Sequence, residues 1–283
     1  MVMKKTLVSI VAAGLVSLAT SLPVGAASVE SAIGTSIALP TGVTVTDMNA
    51  LDVNGKKVAL FDAKTLAVVN TNVRKSLAKN AANTYEGDAL KGIRLYQVQG
   101  TDTDGHHVGY LVSCAWDDQL AKTFVSPKDR QGAGSYWGLQ ESVKASPKDL
   151  KAFHDGFRQE QDKSIDNQAQ SKIKTYESYA KAGAMSPVRL ADMKDSIQRE
   201  AALYKLLDAN LGSLVISPVV GQTHPTTVGT WSLALSYDGF SLPLGGSFKA
   251  VDDGTNLNVL GILSIDASRP YWHQVIRNLQ IVK

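Results

Sequence analysis

The sequence predicts an α+β fold: a mainly antiparallel sheet, a long inserted helical hairpin and a short C-terminal helix. Three observations predict it. Strand-like runs come in pairs joined by tight turns, helix-start signals cluster in the centre and near the end, and no Gly-rich phosphate loop follows any strand, as a parallel βαβ plan would favour.

Taken in order, Ile37 to Val45 reads as two short extended pieces broken by a Pro-Thr-Gly turn. Val58–Phe61 and Leu66–Val69 are further strand candidates, with Asn54-Gly55 and Asp62-Ala63-Lys64 as turns, and Val73 to Ala82 reads as a short helix. Ile93 to Gln99 and Val108 to Ala115 are strand-like runs separated by the polar loop from Gly100 to Gly105. On the second of these runs Val108, Tyr110, Val112, Cys114 and Trp116 share one face, which we expect to be buried against a helix layer.

The centre changes character. Ser146-Pro147-Lys148-Asp149 supplies a capping hydroxyl, a proline at the first helical position and an acid at the third, so a helix begins there. Leu150, Phe153, Phe157, Ile173, Tyr176 and Ala180 extend a helical stripe. Ser186-Pro187 repeats the start signal. Leu190, Met193, Ile197, Ala201, Tyr204, Leu207 and Leu211 then form one apolar face, with Gly212 as the stop, so the hairpin is expected over about 146–212.

Strands return with Trp231, Leu233, Leu235 and Tyr237 in alternation, an Asp238-Gly239 turn, and Phe240, Leu242 and Leu244 on the way back. A second hairpin turns at Asp252–Thr255, and its outgoing strand, Leu257 to Ile265, is apolar enough to be central. Asp266 or Ser268 caps a last helix whose Trp272, Val275, Ile276 and Leu279 face one way.

The first 26 residues carry the marks of a cleavable secretory signal. Lys4 and Lys5 form a positive start, Leu7 to Ala19 an apolar run too short to cross a bilayer, and Pro23 to Ala27 a small-residue stretch with cleavage expected after Ala26 or Ala27, the first preferred. Residues 27–283 are then expected to form one domain, not membrane-spanning once the signal is gone, that works in the periplasm or is secreted by a bacterium. The whole chain is formally +3. Loss of Lys4 and Lys5 leaves it close to neutral, without the field that phosphate-backbone binding needs, so nucleic acid is not an expected partner. The single cysteine, Cys114, excludes an internal disulfide framework.

Leu39-Pro40-Thr41-Gly42 on an opening strand resembles the start of PsbP-like extracytoplasmic domains. The stretch from Leu257 to Ile265, followed by Asp266 and a helix ending at Ile276–Ile281, resembles their close. The resemblance covers about a quarter of the chain and implies architecture only. It carries over no functional residue, and the long hairpin departs from the pattern.

The sharpest chemical cluster is Asp102-Thr103-Asp104-Gly105-His106-His107, in which Asp102, Asp104, His106 and His107 are ligand types for zinc, nickel or copper. Against this, adjacent histidines on a strand point to opposite faces, and a solvated turn accounts for the same residues. Tyr136-Trp137, set among Gly132, Gly134 and Gly138, is a candidate ligand-binding pair for stacking on a sugar, a peptide or another protein. Cys114 with His106 or His107 has the residue types of a thiol nucleophile and its base, but it sits in an apolar strand. No Gly-x-Ser-x-Gly, His-Glu-x-x-His or cofactor-binding motif is present, and no cofactor is expected.

The reading these features support is an exported, non-enzymatic protein acting by binding an unknown protein or small molecule. The alternative is an extracytoplasmic hydrolase whose residues converge only in three dimensions. An apolar groove or patch would favour the first, and a pocket where a histidine meets a second polar group the second.

Overall fold

A computed structural model describes residues 27–77, 87–118 and 142–281. Its centre is one antiparallel sheet of eight strands in the order β3-β6-β7-β12-β11-β10-β9-β8. These are β3 (Thr44–Asp47), β6 (Leu90–Asp102), β7 (Gly105–Asp117), β8 (Val143–Lys144), β9 (Asp208–Pro218), β10 (Thr226–Tyr237), β11 (Phe240–Asp252) and β12 (Asn256–Ile265). Two small hairpins precede the long strands: β1 (Ser28–Glu30) with β2 (Ser36–Ala38), and β4 (Ala50–Val53) with β5 (Lys56–Ala59). The helices among the described residues are α1 (Ala63–Leu77), α2 (Pro147–Lys181), α3 (Pro187–Lys205) and α4 (Arg269–Asn278), the last entered through a 3-10 turn at Asp266–Ser268. The α+β class, with a mainly antiparallel sheet, a long helical hairpin and a short C-terminal helix, is therefore the observed one.

The turns follow local chemistry. Asp238 and Gly239 both have positive φ, 45° and 80°, the twist that a two-residue hairpin turn needs. Ser146 caps α2 reciprocally: its hydroxyl accepts from Asp149 N at 3.2 Å, and Asp149 Oδ2 accepts from Ser146 N at 2.9 Å.

Alternation along the strands gives the sheet two different faces. The first carries Tyr96 and Val98 of β6, Leu111 of β7, Leu260 and Ile262 of β12 and Val251 of β11. All are buried with Trp272, Val275, Ile276 and Leu279 of the last helix and with Val29, Ile37, Leu39 and Val43 of the N-terminal segment. Burial of these side chains, at about 1.5–3 kcal/mol each, dominates the stability of the body.

The chain closes its own sheet edge. Where β3 stops short of the start of β6, the Asn70 amide takes the place of a neighbouring strand: Nδ2 donates to Leu90 O at 3.0 Å and Oδ1 accepts from Leu90 N at 2.8 Å. Asn49 Oδ1 does the same for Leu95 N at 2.8 Å.

Four sequence expectations are corrected. Leu66–Val69 lies within α1, because Asp62 accepts from Thr65 N at 2.7 Å and starts a helix there. On β7 the buried face is that of His107, Gly109, Leu111, Ser113 and Ala115, whereas Val108 is exposed and Tyr110, Val112, Cys114 and Trp116 are only partly covered. The packing helix chose the face with small residues: a Cβ at Gly109 would lie 3.1 Å from Trp272 Nε1. The loop from Gly100 to Gly105 is tighter than expected, with Asp102 paired to Gly105. Finally, the helical hairpin ends at Lys205. Leu211 and Gly212 belong to β9, because Arg158 Nη1 captures Lys205 O at 3.0 Å and Leu207 O at 3.1 Å and terminates α3.

The hairpin stands on β9 and extends away from it. His154, Arg158 and Gln161 of α2 contact the α3–β9 junction, and beyond them α2 pairs with α3 up to the corner at Ala182–Met185. That part is about 30 Å long at 1.5 Å per residue. Only Ile173 and Ile197 are buried within it, flanked by Lys172–Glu200, Lys194–Glu177 and Lys205–Asp166 ion pairs.

Candidate functional site

The β6–β7 turn separates the four predicted metal ligands. His106 is exposed, with Nδ1 3.1 Å from Thr101 Oγ1. His107 points to the other face and is 7% exposed. Asp104 meets Asp102 through its own backbone N–H, at 2.8 Å. Only Asp102 and His107 come together, at 2.8 Å from Oδ1 to Nε2. Strand alternation is the reason, and among the described residues no three His, Cys, Asp or Glu converge to hold a metal ion. Tyr136 and Trp137 lie outside the described residues.

The partners that His107 acquires were hidden in the sequence. Its Nδ1 lies 3.1 Å from Ser268 Oγ, and its ring stacks on Tyr271 with centroids 4.3 Å apart and planes 13° apart. Gly100 makes room for this, since a Cβ there would fall 2.0 Å from the Tyr271 hydroxyl. The tautomer decides whether Nδ1 accepts from Ser268, and with a proton on Nε2 the ring donates to Asp102. That hydrogen bond holds the Asp102 carboxyl below the usual carboxylate value, and burial followed by the Asp102 charge raises the Tyr271 phenol.

Carboxylate, imidazole and hydroxyl in a row are the components of a nucleophile relay. Here the row runs inward from solvent: the Asp102 side chain is 35% exposed, whereas Ser268 is 3% exposed. A substrate arriving from water would meet the carboxylate first. In this orientation the three residues fasten the β6–β7 turn to the start of α4, where Ser268 leaves the helix N-terminus without a side-chain cap.

Two other histidines also have partners. His273 Nδ1 is 2.9 Å from Ser247 Oγ, which donates to Gly229 O at 3.3 Å. His154 Nε2 is 3.0 Å from Asp208 Oδ1 at the hairpin root. Cys114 is no activated nucleophile: burial pushes its thiol up to about 12.

The second sheet face has a different character. Register places Leu214, Trp231, Gly246, Leu263 and Tyr110 in one row across β9, β10, β11, β12 and β7. The next row is Ile216, Gly229, Phe248, Gly261, Val112 and Leu95, and the one beyond it Thr227, Ala250, Val259, Cys114 and Ile93. These three rows contain no charged side chain. Leu214, Trp231, Phe248, Val259, Leu263, Tyr110 and Val112 all remain partly exposed, and none belongs to the main core.

Two aromatic rings lie across this face. A Cβ at Gly246 would fall 2.2 Å from Trp231 Cε2, and one at Gly229 would fall 2.3 Å from Phe248 Cε1 and Cζ. Each ring thus occupies the space above the glycine directly opposite it, which lowers the relief of the face and leaves a broad apolar floor. Alternation in the sequence marked Trp231 as a strand residue. That Gly229 and Gly246 would oppose Phe248 and Trp231 depended on register.

Compared with protein-family models, curated proteins and solved structures, the chain matches none.

Proposed function

We propose that this is an exported protein that acts by binding, and that the second sheet face holds an uncharged apolar ligand of acyl-chain type. The observation that carries the reading is the row of Leu214, Trp231, Gly246, Leu263 and Tyr110, apolar apart from one phenol and partly open. From β9 to β6 the face crosses five strand spacings, about 24 Å at 4.8 Å each, enough for a long chain to lie across. The Trp231 and Phe248 rings, laid over Gly246 and Gly229, give such a chain a low apolar surface to lie on, and the lack of charge in these rows disfavours a polar or ionised ligand. The PsbP-like likeness speaks to architecture and does not choose a ligand.

Titration with a dansylated long-chain alcohol, an uncharged acyl-type probe, read through tryptophan energy transfer and dansyl emission, tests this. Saturable binding is expected, weakened about tenfold in Trp231→Ala and Phe248→Ala chains that melt as the wild type does. Absence of saturable binding would overturn the proposal. So would a stable dimer that excludes the probe, which would assign the face to a second copy.

A second reading, an extracytoplasmic hydrolase, draws on the Asp102–His107–Ser268 row. It requires Ser268 to become reachable. Labelling by a fluorophosphonate probe that disappears in Ser268→Ala would favour it, and no labelling would leave the binding reading in place.

A further inference from the structure

We infer that the tip of the α2–α3 hairpin is a docking element for the surface of an anionic phospholipid membrane. The tip is apolar at its end and basic around it. Tyr179 is 50% and Val188 73% exposed, and Ala182, Gly183 and Ala184 between them are exposed as well. These are high exposures for apolar side chains standing together at the end of a projecting arm.

Charge around the tip is not balanced. Lys194 is neutralised by Glu177 at 2.7 Å and Lys172 by Glu200 at 2.8 Å. Lys174, Lys181 and Arg189 take part in no ion pair among the described residues, and Glu177, which is paired to Lys194, also feels the charges of Lys181 and Lys174 and offsets them in part. Lys181 also sits in the last turn of α2, where the helix dipole stabilises its charge.

One face of α2 leads to this tip, its lining without a carboxylate and Glu177 standing beside it. Asn167, Gln170, Ser171, Lys174, Thr175 and Ser178 line a shallow recess of about 470 Å³, and Lys181 follows Ser178 at the next helical step. Thr175 and Ser178 donate their hydroxyl protons to Ser171 O and Thr175 O, so the ammonium of Lys174 and the amides of Asn167 and Gln170 supply the outward donors. Ammonium and amide donors beside an exposed tyrosine and valine match a phosphate headgroup above an acyl boundary. No described helix is long and apolar enough to cross a membrane.

Co-sedimentation of the protein purified after export, with phosphatidylcholine vesicles and with mixed phosphatidylcholine–phosphatidylglycerol vesicles, tests the inference. Binding to the mixed vesicles alone is expected. The Lys174→Glu/Lys181→Glu double variant should partition at least about 30-fold more weakly, from about 1 kcal/mol per lost cation. Val188→Ser should reduce binding without changing its salt dependence, and unchanged helical circular dichroism shows that the hairpin is intact in each variant. Binding to neutral vesicles of equal strength, no binding to the mixed ones, or undiminished binding by the double variant would overturn it. Release by inorganic phosphate at an ionic strength where sodium chloride releases nothing would also overturn it, since the recess would then read free phosphate.

Discussion

At the residue scale, the body is held by small residues that let large ones approach and by buried polar groups with named partners. Gly100 illustrates the first: with any Cβ there, Tyr271 must leave its stack on His107. Gly100→Ala should therefore cost about 1–3 kcal/mol in urea unfolding. In a Tyr271→Ala background the same substitution should cost much less, because the clash then has no partner. Lys249 illustrates the second. It is 6% exposed, and its ammonium donates to Leu279 O at 2.6 Å and Arg277 O at 3.1 Å at the end of α4. Burial lowers its pKa, while the two carbonyls and the helix C-terminus keep the charge in place.

At the element scale, the projecting hairpin has little to hold it. Ile173 and Ile197 are its buried pair, and the lysine–carboxylate bridges on either side are well exposed. Burial should outweigh charge here. Ile197→Ala is expected to lower the protection of α3 amides in hydrogen exchange by about 2 kcal/mol, and Lys172→Ala by under about 1 kcal/mol. A larger effect for the lysine would mean that ion pairs hold the arm. Its root is polar by contrast, where Arg158 and Gln161 take the carbonyls that α3 leaves open.

At the scale of the whole molecule, one face of the sheet is filled and the other, among the described residues, is only partly covered. The helix on the filled face carries one pH dependence. His273 has its pKa lowered from 6.5 by burial, then by Arg277 and Arg269. Above pH 6.5 the imidazole is neutral in both folded and unfolded chains. Below it the unfolded chain takes up a proton that the folded one resists, so stability falls until the lower folded value is reached. The melting temperature is expected to drop as pH decreases below 6.5, and His273→Gln should flatten that slope. Asp102 acts in a separate window. Its pKa is lowered, so its contribution is present above 3.8 and is lost as pH falls through its lower folded value.

Much of the architecture was legible in the chain itself, because it rests on local rules. Ser146 and Ser186 with the prolines after them start helices, Asp238-Gly239 turns a hairpin, and the spacing of Trp272, Val275, Ile276 and Leu279 marks a face. Each of these signals operates within a few residues. What the sequence left open is long-range. Which face of β7 is covered was decided by where α4 lands, and the end of α3 by the reach of Arg158 from another helix. Ser268 came to His107 from 161 positions away. The apolar floor exists because register sets Trp231 against Gly246 and Phe248 against Gly229. Side-chain periodicity along one strand carries no information about its neighbour's offset. Only folding, through the summed burial and hydrogen bonding of all eight strands, determines it.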